Sequence, residues 1–342
     1  MLPENIMPGL CTRSCEKCNL HESCGGCSLC ERTLCRQTCK CCFALCFHRP
    51  YAAAYMKKIG GVEIHAATNK TLQLPDHIPI VPDRLKIQPK LEEMPVIGVH
   101  GGNMFARNGE RINRSYLEKG YANALNLDHW TKAILEFYVK DRTLEGFWDK
   151  RKEIYPGLKQ MQFTAVIAPN FSVYEDTPRL DHLYNMKRSV TVYNEMMEAE
   201  IAAVPDISWY SLQDLKRWVK TINTEKLKAI SFSFQVVDVR LKASSIWKSY
   251  LLGFRYLCQN ISQDVQIIVA GLVSREKVAA LYSAASGQKL HILNQSAYVQ
   301  SRRGILSETR KQNLEMDFDA LFRENIAYFN RIYMEEVHHA KI

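Results

Sequence analysis

From Pro95 onward the chain alternates short apolar runs with amphipathic stretches, and this alternation constrains the fold more than any other feature of the sequence. The apolar runs are Val96–His100, Ala133–Val139, Phe163–Ala168, Ile201–Val204, Ala229–Val237, Val265–Ala270 and Leu290–Leu293. Each is rich in Val, Ile, Ala or Phe, which is how strands covered on both faces read. Between them, Arg179–Glu200, Ser211–Thr221, Ser244–Asn260 and Arg275–Ala285 carry helical periodicity. The pattern predicts an α/β fold, a TIM-like (β/α) barrel of about seven to eight parallel strands over residues 94–306. An open doubly wound sheet is the alternative, because periodicity does not separate a closed sheet from an open one. Within residues 307–342 a helical tail, Leu314–His339, places Phe318, Leu321, Phe322, Ile326, Phe329 and Ile332 on one stripe and is expected to pack across one end.

The N-terminal part obeys different rules. Eleven of the 12 cysteines fall between Cys11 and Cys46: Cys11, Cys15, Cys18, Cys24, Cys27, Cys30, Cys35, Cys39, Cys41, Cys42 and Cys46. A segment so poor in large apolar groups cannot bury enough surface to fold unaided, so residues 1–60 read as a module held by cross-links. Met1–Leu10 has neither a basic n-region nor an apolar h-region, so a reducing, cytoplasmic compartment is expected, where thiols bind metal rather than pair as disulfides. Cys24-x2-Cys27-x2-Cys30 resembles the spacing that wraps a cubane cluster in bacterial ferredoxins, although Cys35 follows after four residues and no proline comes next. Iron–sulfur clusters, one to three of the 4Fe–4S kind, are therefore the leading expectation, with tetrahedral zinc the alternative. His21 or His48 would bring the eleven thiols to twelve ligands, enough for three four-ligand sites. Alternatively a third site keeps only three ligands and leaves one iron open. Cys11-x3-Cys15-x2-Cys18 has the spacing by which radical S-adenosylmethionine enzymes hold such a cluster, which would make S-adenosylmethionine a ligand. The structural reading of that triplet is the simpler one, because the neighbouring thiols offer a fourth ligand.

Residues 61–93 read as a Pro-rich linker or wrapping arm, since Pro75, Pro79, Pro82 and Pro89 oppose helix and favour extended chain. The 342 residues and a hydrophobic content of 46% suit a globular protein. No apolar run approaches the length of about eighteen residues that a membrane span requires, so no membrane association is expected. The net charge of +9 permits a nucleic-acid partner without requiring one. Lys216-Arg217-Trp218 and Trp247-Lys248-Ser249-Tyr250 combine bases with aromatics, but in helical periodicity they read as a solvated face beside a core aromatic.

In either sheet architecture, ligands bind at the carboxyl ends of the strands. His100, Gly101, Gly102 and Asn103 end the first run, the glycines allowing close backbone approach to a ligand or simply a tight turn. Asp206 follows a short buried strand beside Ser208 and Trp209, as a general base or nucleophile would. It could instead cap the next helix, although Ser211 is better placed to do so. Ser231, Ser233 and Gln235 form a period-two polar stripe in a buried strand, facing inward if the sheet is a barrel. Gly271, Ser274, Arg275, Asn294, Arg302 and Arg303 stand where late barrel strands often bind phosphate, with a helix N-cap and a surface basic turn as the plain reading.

The phrase Val166-Ile167-Ala168-Pro169-Asn170-Phe171-Ser172-Val173-Tyr174, followed by Pro178, Asn194 and Val204-Pro205-Asp206-Ile207-Ser208-Trp209, resembles a family of unknown function found in bacteria, archaea, phages and mobile elements. That family typically shows Pro-Asp-Phe-Ser-x-Tyr and then a Val-Ile-Pro strand leading to a Trp. The resemblance covers roughly Phe137–Leu281 and implies a barrel-like domain and a mobile-element context, with no established chemistry. This chain carries Asn170 where Asp is common and lacks a glycine before the Ile201 strand. Asp206, from its place at a strand end, and Asn170 and Ser172, from the motif, are the candidate catalytic residues; if the family's Asp were catalytic, Asn170 would argue against activity.

Two functions follow as expectations. One is an iron–sulfur protein whose barrel acts on a nucleotide, nucleobase or nucleic acid. A minor variant is base exchange like that of tRNA-guanine transglycosylases, whose late Cys-x-Cys-x2-Cys zinc signature is missing here, Cys258 being the only late thiol. The other is a zinc-folded, non-catalytic nucleic-acid-binding or assembly protein, whose Arg13, Lys17, Arg32, Arg36, Lys40 and Arg49 would contact phosphates.

Overall fold

A computed structural model of the chain describes residues 59–173, 179–235, 245–313 and 315–340. The cysteine-rich module, with His21 and His48, lies outside the described residues, as do Tyr174–Pro178 and the end of the Ala229–Val237 run.

Eight parallel strands alternate with helices around a nearly closed, TIM-like barrel. The strands are β1 (His77–Val81), β2 (Val96–His100), β3 (Lys132–Glu136), β4 (Ala165–Ile167), β5 (Ala203–Val204), β6 (Ala229–Ser233), β7 (Gln266–Ala270) and β8 (Leu290–Asn294). They are ordered β5-β4-β3-β2-β1-β8-β7-β6, every ladder parallel. Beyond the end of β5 a single bridge, Asp206 to Ser231, joins the two edges: Ile207 N–H donates to Ser231 O at 2.8 Å and Ser231 N–H to Pro205 O at 2.9 Å. Prolines explain why β4 and β5 are short. Pro169 and Pro205 follow β4 and β5 closely and have no N–H to extend a ladder.

The helices are α1 (Gly101–Met104), α2 (Arg114–Leu125), α3 (Asp141–Gln160), α4 (Arg179–Glu198), α5 (Leu212–Thr224), α6 (Ser245–Asn260), α7 (Arg275–Ala284), α8 (Ser296–Arg302) and α9 (Phe318–Ala340). Their apolar stripes bury against the outer strand faces, as Leu144, Phe147, Leu158 on α3 and Leu215, Trp218, Ile222 on α5 do. Ser211 begins α5, its N–H bonded to Asp214 Oδ2 at 2.9 Å, so the capping duty falls to Ser211 and leaves Asp206 free of it. A separate apolar cluster that includes Ile80, Val96, Ile134, Ala165, Ile268 and Leu293 fills the barrel interior. That interior is full: a Cβ on Gly98 of β2 would lie 2.8 Å from the side chains of both Ile80 and Leu293.

Two sequence expectations need correction. The stretch read as a linker contains β1, which stands between β2 and β8. Pro79 hides it, yet Pro79 falls where β1 passes from pairing with β8 to pairing with β2, a place where a missing donor disturbs the ladder least. Upstream of β1 the segment does wrap the barrel. Lys187 and Asn194 of α4 donate to Glu63 O at 2.8 Å and His65 O at 2.6 Å. Asn69 then bonds the start of β6, its Nδ2 to Ala229 O at 2.6 Å, and Leu72 exchanges two bonds with the Gln266 side chain at the start of β7. The tail helix is the second correction. Instead of crossing an end, α9 lies along the outside of β1: His77 Nδ1 meets Asn330 Oδ1 at 2.8 Å, and Tyr333 OH donates to Val273 O at 2.8 Å beside α7.

Candidate functional site

Inward positions near the carboxyl ends of the strands are polar, and β3 to β6 assemble them around a cleft of about 160 Å³. Its walls are the aromatic rings of Phe137, Tyr138, Trp209 and Tyr250, and its polar groups are Asn170, Ser172, Ser208, Ser233 and Gln235. The polar stripe read in β6 does face inward: Ser231 is fully buried and bonds Tyr138 OH at 2.7 Å, while Ser233 and Gln235 line the cleft.

Asp206 is 1% exposed at the barrel seam. Burial pushes its carboxyl pKa up to about 7, and the nearby Asn170, Ser231 and Tyr138 side chains and the Ile207 amide only partly oppose this. Tyr138 OH donates to Asp206 Oδ1 at 3.2 Å, whereas Oδ2 is buried without a hydrogen-bond partner of good geometry. Ser208 Oγ, in the cleft wall, is likewise buried and unpartnered. A buried carboxyl and an unpartnered hydroxyl on successive inward positions beside a cleft suit a polar ligand. The same surroundings raise the Tyr138 phenol far above its ordinary range, first through burial and then through the Asp206 charge, so it acts as a hydrogen-bond donor.

A second cluster lies on the neighbouring wall of the mouth. Glu136, 1% exposed at the end of β3, accepts a hydrogen bond at one oxygen from His100 Nδ1 and at the other from Tyr138 N–H, 2.6 Å away. Tyr138 thus ties both carboxylates together, its amide to Glu136 and its hydroxyl to Asp206. Next to His100, Asp83 follows β1 and accepts from Tyr298 OH at 2.7 Å and Asn103 Nδ2 at 2.9 Å.

Residues 119–285 match the domain of unknown function DUF4417. The DUF4417 match runs from within α2 to the end of α7, so it contains the whole cleft, Glu136 and Asp206, but neither β1, β2, β8 nor α9. The stretch Phe137–Leu281, read from sequence as resembling a family of unknown function, lies inside it. No curated protein matches the chain.

The remaining sequence candidates find other partners. Gly101 packs tightly, since a Cβ there would lie 2.7 Å from Glu136 O, and Asn103 Nδ2 also donates to Pro82 O at 2.6 Å, fastening the β2 end to the β1 end. Ser172 donates to Asp141 Oδ1 at 2.7 Å at the cleft rim. Gly271 adopts φ +87°, and a Cβ there would come within 2.6 Å of Gln235 N, so its role is to let the β6 end approach. Ser274 caps α7 through the Lys277 amide, and Arg275 turns away from the mouth to Glu336 at 2.6 Å and Glu335 at 3.1 Å on α9. Asn294 points outward, donating to Leu272 O at 3.1 Å and Tyr333 OH at 3.2 Å. Arg302 and Arg303 are exposed at the end of α8. The late-strand set therefore does not converge on one anion-sized space.

Sequence reasoning missed Glu136, Tyr138 and Asp83. Among the described residues no group of three or more His, Cys, Asp or Glu is arranged to hold a metal ion.

Proposed function

We propose that the barrel takes up the base of a nucleotide or nucleic acid in the cleft between β3 and β6, and that Asp206 exchanges a proton with it. The observation that carries this reading is Asp206, a buried carboxyl with a pKa raised to about 7 that accepts a hydrogen bond from the hydroxyl of Tyr138, a residue of the cleft wall. A general acid or base is most effective when its pKa is close to the working pH, and burial achieves this for Asp206. Aromatic walls with amide and hydroxyl edges suit a flat heterocycle that stacks on its faces and hydrogen-bonds along its rim. The scattered placement of the late-strand basic residues favours recognition through the base rather than through a phosphate.

The cysteine run between Cys11 and Cys46 carries the second half of the proposal, iron–sulfur clusters held in a module whose chain enters the barrel at Ile59 on the α4 flank. Gly60 adjoins Lys187 there, within 3.0 Å of where a Cβ would sit. Visible absorption together with iron and sulfide analysis of anaerobically purified protein tests this half. Stoichiometric zinc in a colourless protein would replace it with the zinc-folded alternative.

For the barrel, titration calorimetry with free adenine, guanine, cytosine and uracil and their nucleosides is the direct test. Binding of at least one base, weakened about tenfold or more by Asp206→Asn, is expected. A folded protein that binds none of them would end this reading.

A further inference from the structure

The Glu136–His100 cluster is not part of the cleft lining, yet it has the organisation of a proton-transfer unit. Ionised Glu136 can only accept hydrogen bonds, so the shared hydrogen belongs to His100 Nδ1 and the ring's lone pair is left on Nε2. Both Glu136 oxygens are committed, one to His100 and one to the Tyr138 amide, which fixes the carboxylate and through it the imidazole plane. Nε2 is not sealed by protein. The His100 side chain is 24% exposed, and the atom lies against Gly102, where even a Cβ would come within 2.6 Å of it. A helical glycine with no positive φ gains nothing from being glycine except this space.

We propose that His100 and Glu136 form a second proton-transfer unit of the mouth, in which Nε2 accepts a proton from a bound ligand or from a water held beside it. The proposal rests on the base-binding reading for its substrate class but not for its geometry. The step is a proton transfer only: an O–H or N–H bond of water or ligand breaks, the Nε2–H bond forms, and Glu136 stabilises the resulting imidazolium. Two charged groups face the ring, Glu136 from β3 and Asp83 from the β1 end; the other elements there contribute Asn103 and the Gly101-Gly102 turn. Burial alone would push the imidazole pKa down, and the Glu136 hydrogen bond and charge, helped by Asp83, outweigh it and raise the value above that of an ordinary histidine.

The test needs no ligand, so it can fail separately from the base-binding titration. Histidine ring resonances of full-length protein are followed against pH by NMR, and reactivity of His100 with diethyl pyrocarbonate is followed by mass spectrometry. In the wild type His100 is expected to titrate above the ordinary value. Glu136→Gln, which keeps the shape and removes the charge, should lower its pKa measurably. Gly102→Ala should slow modification about tenfold by covering Nε2 while leaving the chain folded, alanine being favourable in a helix. A wild-type His100 titrating at or below the ordinary value, a titration unchanged in Glu136→Gln, or reactivity unchanged in Gly102→Ala would each overturn the proposal.

Discussion

The chemistry of the mouth depends on where single side chains fall in the period-two alternation of the strands. In β3, Ile134 and Glu136 share the inward face with Tyr138 just beyond, and in the next wall Val204 precedes Asp206 and Ser208. The cost of this arrangement is measurable. The Asp206 pKa rises from 3.8 to about 7 on folding, so the native state holds its proton more tightly than the unfolded chain. Stability contributed by this group is therefore complete below about pH 4 and is lost as pH rises toward 7, by about 4 kcal/mol at most. Asp206→Asn should remove that dependence and leave the variant more stable than wild type at pH 8, by about 2 kcal/mol or more, in urea unfolding at a series of pH values. Equal stability of the two proteins at pH 8 would contradict a carboxyl whose burial outweighs its hydrogen bonds. Asp206 was legible in the sequence because Pro205 and Trp209 mark the end of a short strand. Glu136 and Tyr138 were not singled out, because they sit inside the run Ala133–Val139, whose apolar majority hides two polar inward positions. The signal was the same one that exposed Ser231, Ser233 and Gln235, polar residues two apart in a buried strand, but with fewer repeats.

At the scale of elements, the alternation of apolar runs located seven of the eight strands because parallel strands are buried on both faces. β1 escaped because its five residues include Pro79 and its surroundings are rich in proline. Nothing local tells that such a segment is central; its place comes from Asn69, Gln266 and His291, which hold the preceding chain against the barrel's amino-terminal end. Arg275 shows the converse: its position after a late strand suggested an anion, but its partners, Glu335 and Glu336, lie about sixty residues away on α9. The α9 contact should also be acid-sensitive. His77 is buried between β1 and the Phe329 and Tyr333 rings, and burial lowers its pKa from 6.5 to about 4. A histidine held neutral in this way contributes stability that is present above pH 6.5 and lost as pH falls toward 4, worth about 3 kcal/mol. His77→Phe preserves an aromatic ring without a titrating group. The protection of α9 amides, taken relative to the intrinsic exchange rate at each pH, should fall between pH 6.5 and 4 in the wild type and much less in the variant. An equal response in both would place the acid sensitivity elsewhere, His291 being another buried histidine whose pKa falls to about 4.

For the whole molecule, the described barrel closes its core without any cysteine ligand; Cys258 is buried and burial pushes its thiol pKa up to about 12, the profile of a packing group. No helix among the described residues is long and apolar enough to cross a membrane. Anaerobic removal of iron or zinc by a chelator is accordingly expected to leave the far-ultraviolet circular dichroism of the barrel and its main unfolding transition in place. Collapse of the helical signal on chelation would show instead that the module is an integral part of the barrel fold. At the mouth, the number of protons linked to base binding reports on Asp206 directly. Calorimetry of the tightest-binding free base at pH 7, repeated in buffers of different ionisation enthalpy, gives that number. Uptake or release of a fraction of a proton is expected in the wild type, and a clearly smaller fraction in Asp206→Asn. Binding without proton linkage, or linkage unchanged in Asp206→Asn, would contradict proton exchange by Asp206.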